Sequence, residues 1–209
     1  MVNNYFIHSF CSIEQNKIYL NGEVFFETED SSFNVFSKMA YQYSGMNYPK
    51  FFKMDNLSKL AFLASELLLK EIIQIDKTNN IALLFANKSS SLDTDVKHQD
   101  SISDDENYFP SPAVFVYTLP NICLGEIAIK NQLKSENSFF IFDAFNSAFM
   151  MQYANALLNA NKAEKVLCGW VEYYQEEYRA YLYLVTKEGK IKHNLNNIQA
   201  AYTNLLWKH

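Results

Sequence analysis

FFIFDAFNSAFMMQYANALLNANKAEKVLCGWV, residues 139–171, is the stretch whose reading decides the fold. It begins as a short apolar run with the length of a buried strand and then breaks at a tight elbow around Phe145. From about Asn146 apolar residues recur at Met150, Tyr153, Ala154, Leu157 and Leu158, the spacing of a helix that buries one face. Asn161 suits the C-terminal turn of that helix. A second buried strand follows at VLCGWV. A strand–elbow–helix of this kind presents a nucleophile at its elbow, and the residue there is Phe145. A benzyl side chain has no lone pair, no proton to exchange and no affinity for a metal.

Outward from this stretch the chain alternates strands with helices. YFIHSFCSI (5–13) reads as a strand, and KIYLNGEVFFE (17–27) as two short strands around Asn21-Gly22, a strong hairpin signal. LSKLAFLASELLLKEII (57–73) places Leu60, Ala61, Ala64, Leu67, Leu68 and Ile72 on one helical stripe, with Asp55 or Asn56 as N-cap. IALLFAN (81–87) has the length of a buried parallel strand. Residues 88–107 are a polar excursion read as a loop. SPAVFVYTLP (111–120), framed by Pro110, Pro112 and Pro120, reads as a stiff extended segment. Asn121 can cap a helix to about Leu133, with Gly125 allowing a close approach. The strands 166–174 and 178–186 are joined by Gln175-Glu176-Glu177, short enough for an antiparallel hairpin, and Ala180, Leu182 and Leu184 share a face. A closing helix is expected over 194–207. The sum is a single α/β domain over 1–209, a mixed sheet covered by helices on both faces.

Composition narrows the function. The chain has 209 residues, 49% of them apolar and 16% aromatic, enough for a sizeable core. A net charge of −5 and a single arginine, Arg179, argue against nucleic-acid binding. Cys11, Cys123 and Cys168 are widely spaced in apolar surroundings and read as buried free thiols of a reducing compartment. The N-terminus lacks a basic segment followed by a long apolar one, and no apolar run is long enough to span a bilayer. A cytoplasmic protein with no membrane contact is the expectation. Asp93, Asp95, His98 and Asp100 lack the glycine and closing glutamate of a calcium loop and read as solvated side chains, so no metal or cofactor is expected.

Several segments together resemble the N-terminal half of a β-ketoacyl-acyl-carrier-protein synthase of the thiolase-like superfamily. KMDNLSKLAFLASELLL is similar to that family's "MDR…A…A…A" helix, and IALLFANKSSS to its strand ending in a small-residue turn. SPAVFVYTLPNICLGEIAIKNQL resembles its "SP…PN…AGEIA" segment. SFFIFDAFNSAF falls where the family carries the Thr-Ala-Cys-Ser-Ser nucleophile turn, which sets Phe145 in the cysteine's place. KAEKVLCGWVE follows at the next strand. The matching pieces cover roughly residues 50–186.

The resemblance implies a thiolase-like half with a five-stranded mixed sheet. It also implies that Claisen condensation is beyond this chain alone: the thiolate is missing, and the family's C-terminal half, with two histidines and a lysine for the enolate, is not matched by His193 or His209. Chain-length-factor subunits of the family likewise lose the cysteine and act as silent partners. The function implied is therefore a non-catalytic ketosynthase-like subunit, a partner, chain-length or scaffold factor in fatty-acid- or polyene-type biosynthesis. It would form a homodimer, or a heterodimer with a full-length ketosynthase, and engage an acyl carrier protein. By the same resemblance Phe139, Phe140 and Phe142 belong at the two-fold interface, and Phe115, Tyr117, Thr118 and Phe145 line an acyl pocket. Phe145 as simple core filling, an acyltransferase using Ser147 or Cys168, and a binding module for an acyl or aromatic ligand are the alternatives. Lys50, Lys53 and Lys59 bracket Phe51-Phe52 and offer a small basic cluster for an acidic carrier protein, or are scattered solvated lysines.

Overall fold

In the computed structural model of the protein, which describes residues 4–29, 31–74, 77–103 and 108–203, two-residue turns shape the antiparallel side of one sheet. β1 (Phe6–Glu14) turns through Gln15-Asn16 into β2 (Lys17–Leu20), which turns through Asn21-Gly22 into β3 (Glu23–Glu27). Both residues of each pair have positive φ, 48° and 59° then 53° and 85°, the type I′ geometry that the Asn-Gly pair signals. The Asn21 Oδ1 also accepts the Phe10 N–H at 3.0 Å, tying the second turn to β1. β6 (Lys165–Tyr174) and β7 (Glu177–Thr186) form the expected antiparallel hairpin, over a turn of Gln175 and Glu176 alone, since Glu177 already pairs with Tyr174.

β4 (Ile81–Asn87) is buried along its whole length and runs parallel to β6 on one side and to β5 (Asn137–Ile141) on the other. The strand order is β3-β2-β1-β7-β6-β4-β5, with the short β8 (Ile191–Lys192) also paired to β1. The expected five strands are thus eight among the described residues. β1 lies antiparallel on β7, so the N-terminal hairpin extends the same sheet instead of standing apart from it.

On one face the central helix α2 (Asn56–Leu69) lies against β1, β6 and β7. Asp55 caps it, its Oδ1 accepting the Ser58 N–H at 2.9 Å. Leu60, Ala61, Ala64 and Leu68 of the expected stripe are buried; Leu67 and Ile72 are half-buried. Residues 28–53, given no element by the sequence patterns, contain α1 (Phe33–Tyr43) and a 3-10 turn (Pro49–Lys53). α1 buries Phe33, Phe36, Ser37, Ala40 and Tyr41, spaced to form one helical face.

Two further readings need correction. The polar stretch after β4 is a helix, α3 (Leu92–Asp100): Asp93 and Asp95 in its first turn, Lys97 and His98 in its last, and the Lys97–Asp93 pair suit the helix dipole, while the near-absence of an apolar face hides it from a periodicity search. SPAVFVYTLP is not extended but opens as α4 (Pro112–Val116), with Ser111 as N-cap and Pro112 in the first turn, where its missing N–H costs nothing.

α5 (Ile122–Asn131) packs on α2, and its Gly125 meets no neighbour, since a Cβ there would find nothing within 4 Å. On the opposite face of the sheet lies α6 (Ser147–Asn159), which buries Met150, Ala154, Leu157 and Leu158, with Tyr153 half-buried. Asn161, at φ 53°, ends it as expected, the Lys162 N–H reaching back to the Leu157 carbonyl. α7 (Leu195–Tyr202) lies beside α6; the remainder of the expected C-terminal helix, residues 204–207, is outside the described residues. No helix of the described residues is long and apolar enough to cross a membrane.

Candidate functional site

The carboxyl ends of the parallel strands β4, β5 and β6 converge on the elbow between β5 and α6, the place where open α/β sheets build their sites. Three sets of contacts make that end rigid. The Phe142 N–H bonds the Asn87 carbonyl at 2.9 Å, carrying the β4 ladder into the elbow. Asn146 caps α6, its Oδ1 accepting the Phe149 N–H at 3.0 Å. Behind them Asn87, fully buried, pins the next turn through Ser90 at 2.8 and 2.9 Å, and the Glu172 Oε2 accepts the N–H groups of Lys88 and Ser89 at 2.6 and 3.2 Å.

Phe145 occupies the elbow and is half-buried in a group of rings: Tyr202 at 4.6 Å between centroids, Tyr181 at 5.6 Å and Trp170 at 6.5 Å. Tyr202 belongs to α7, so this helix lies over the elbow. It is fastened at its last turn by Arg179, the chain's single arginine. The Nη2 donates to the Tyr202 carbonyl at 2.6 Å, the guanidinium stands 4.2 Å from the Tyr202 ring, and Nε pairs with Glu14 at 3.2 Å. The Ser147 hydroxyl reaches the Gln199 Oε1 of α7 at 3.3 Å. Ser147 therefore faces an amide rather than a base, and a neutral seryl hydroxyl without a base is a weak nucleophile.

Cys168 lies on β6 with no exposure, its thiol 3.9 Å from the Val166 carbonyl; burial pushes its pKa far up, the opposite of an activated thiolate. Cys11 and Cys123 are buried and pushed up in the same way. Trp170, Tyr181, Arg179, Gln199 and Tyr202 complete the site without having been read from the sequence. The one signal for them was Arg179, the chain's single arginine.

Phe115, Tyr117 and Thr118 are not joined to Phe145 within this chain. Tyr117 belongs to the core on the α2 face of the sheet, whereas Phe145 packs on the α6 face. Tyr117 turns inward and donates to the buried Glu126 at 2.9 Å, so burial and that carboxylate raise its pKa. The Thr118 hydroxyl folds back to the Phe115 carbonyl at 2.7 Å. Phe115 itself is 60% exposed. Phe140 and Phe142 stack on each other and meet Phe149 of α6, while Phe139 packs on the opposite face. The three aromatics of the β5 segment are thus half-buried within the chain, and what remains open is the backbone edge of β5 with Ile141 beside it.

The acidic residues of α3 do not converge: Asp93 pairs with Lys97, Asp95 meets Ser91, and His98 lies against Phe115. Among the described residues no group of three or more histidine, cysteine or carboxylate side chains is placed to hold a metal.

No family model matches the chain, and no curated protein sequence does. Solved structures do. The ishigamide ketosynthase/chain length factor matches at TM-score 0.60 and 14% identity, over 88% of this chain and 62% of the other. A chain from a type II PKS acyl-carrier protein in complex with its ketosynthase matches at 0.61 and 15%, over 88% and 63%. Both are spanned for somewhat less than two thirds of their length. A chain from a ketosynthase in complex with its chain length factor from Xenorhabdus doucetiae matches at 0.61 and 12%, over 98% of this chain and 92% of that one. With the elbow, its capped helix and the parallel strands beneath it, these likenesses establish that the chain has the thiolase-like fold of the ketosynthases and chain length factors.

Proposed function

We propose that this protein is a non-catalytic ketosynthase-like subunit, which pairs with a full-length ketosynthase and sets chain length or scaffolds its complex in fatty-acid- or polyene-type assembly. The observation that carries this reading is the elbow itself. A phenyl ring stands where the geometry would present a nucleophile, and the chain's own α7 lies over that ring. The elbow and α6 cap are intact while the reactive group is missing, which suits a scaffold retained for assembly. The open edge of β5 offers main-chain groups for a partner strand. Phe115, projecting from α4, is the most exposed of the three residues Phe115, Tyr117 and Thr118 and the one to reach a partner's acyl pocket; Tyr117 and Thr118 support it from within. A homodimer through the same edge is the alternative assembly, and an acyl carrier protein would be engaged by the complex.

Co-expression with a ketosynthase, size-exclusion chromatography and intact mass after incubation with acyl-carrier-protein and coenzyme A thioesters test this directly. The expected result is a stable complex in which acyl groups load only the partner, and whose product length shifts when Phe115 is replaced by alanine. A stoichiometric acyl adduct on this chain would overturn the reading.

A further inference from the structure

The basic cluster at the start of α2 is not the one that sequence proximity suggests. Lys50 leaves it to pair with Glu126 at 2.9 Å. In its place Lys97 arrives from α3, so that Lys53, Lys59 and Lys97 from three separate elements line one groove of about 260 Å³. Asn34, Thr94 and Tyr117 also line it, the Thr94 and Tyr117 hydroxyls already donating to Asp55 and Glu126, and Met54, Ala113 and Val114 make an apolar wall. From this convergence we infer a site for a small phosphate-class anion carrying a short apolar substituent.

The charges in the groove are incompletely matched. Asp55 is present, but its Oδ1 is taken by the Ser58 N–H and its Oδ2 by the Thr94 hydroxyl at 2.9 Å. Asp93 is paired with Lys97. Lys59 donates to the Asn34 amide oxygen at 3.2 Å and feels the Asp55 carboxylate without a close ion pair, and Lys53 has no ion pair among the described residues. Desolvation by burial holds Lys59 below the usual lysine range, against the pull of the Asp55 carboxylate and with a smaller push from the Lys97 charge. Lys53, Lys59 and Lys97 line the groove at the N-terminus of a 14-residue helix capped by Asp55, and these three cations outnumber the two carboxylates beside them, Asp55 and Asp93, which favours an anion there in a chain whose net charge is −5. The volume admits a phosphate with a few further heavy atoms, which the apolar wall would cover. This site lies away from the elbow, on the inner side of the α4 segment that carries Phe115, and phosphate binding by the isolated protein tests it without the partner.

Titration of the protein with inorganic phosphate, pyrophosphate and phenyl phosphate, each against chloride at equal ionic strength, tests the site by backbone amide shifts at Thr94 and Val114 and by thermal midpoint. Saturable shifts with the phosphates and none with chloride are expected, with phenyl phosphate binding at least threefold tighter than inorganic phosphate. Lys53→Gln with Lys59→Gln should weaken binding at least tenfold. Because Lys59 is partly buried, Lys53→Gln alone, at an exposed side chain with no ion pair among the described residues, provides a second variant, expected to weaken binding at least threefold with an unchanged thermal midpoint. Equal response to chloride, or phosphate binding unchanged in either variant, would overturn the inference.

Discussion

Glu176 stands at φ 65°, a conformation that ordinarily favours glycine, because its side chain has work that glycine cannot do. Its Oε2 accepts the Phe33 N–H at 2.8 Å, capping α1 from the β6–β7 turn, and its Oε1 accepts the Tyr173 hydroxyl at 2.8 Å, which in turn accepts from Asn56 at 2.7 Å. Glu176→Ala is expected to cost about 2 kcal/mol in urea denaturation, the loss of a cap plus a partly buried hydrogen bond. Glu176→Gly should cost about 1 kcal/mol less, because it relieves the backbone; equal losses would show that the turn stores no strain. His193 makes a pH-dependent case. Its Nδ1 faces the Asn155 amide at 3.0 Å, its ring lies beside Tyr183, and burial lowers its pKa to about 4 from 6.5. The unfolded chain therefore binds the proton more readily than the folded one, so stability is lost as pH falls from about 6.5 toward 4 and is regained above that window. The loss from this group is about 2 kcal/mol by pH 5. His193→Gln should flatten that part of the pH profile, and an unchanged slope would mean that His193 does not titrate in this way.

At the scale of elements the β6–β7 pairing is the strictest requirement. Gly169 lies at φ 153°, opposite Leu182, and a Cβ there would stand 2.0 Å from the Tyr181 carbonyl. Gly169→Ala should therefore cost more than about 3 kcal/mol, since strand backbone must move and both sheet faces move with it. A soluble variant with an unchanged thermal midpoint would refute that packing. Elements with strong chemistry of their own were legible in the sequence: the Asn21-Gly22 turn, the Asp55 cap, and the apolar strand–helix–strand from 139 to 171. α3 was not, because its stability comes from charges placed along the helix axis rather than from an apolar stripe. α4 was misread because proline signals a break, yet at the first turn it starts a helix. At the elbow Phe145 and Ser147 could be named from sequence, but the covering by Tyr202, Gln199 and Arg179 joins residues 23 to 57 positions apart, a distance no local pattern spans.

Across the whole molecule the sheet has two ends of different character. β3 closes one side as a short edge whose Glu23 and Glu27 flank it with charge, a common guard against strand addition. β5 closes the other with no such guard: its outward side chain Ile141 is 50% exposed. The alternation of main-chain groups can be followed from two bonds to β4, Leu83 N–H to the Glu136 carbonyl and Phe142 N–H to the Asn87 carbonyl. In a parallel ladder the residues between, 138 and 140, face β4, which leaves the N–H groups of Phe139 and Ile141 pointing to the open side. Ile141→Pro removes one of those outward donors without breaking a bond of the chain's own ladder. If β5 is the assembly edge, this variant should lose at least tenfold in affinity for its partner strand while its monomeric stability changes by less than about 1 kcal/mol. Ile141→Lys, which keeps the donor but adds charge to the edge, should weaken assembly in the same direction. Analytical ultracentrifugation of both variants, with urea denaturation alongside, separates the outcomes. Assembly unchanged in both would place the partner elsewhere on the molecule, and lost assembly with lost stability in both would show that Ile141 supports the fold rather than the interface.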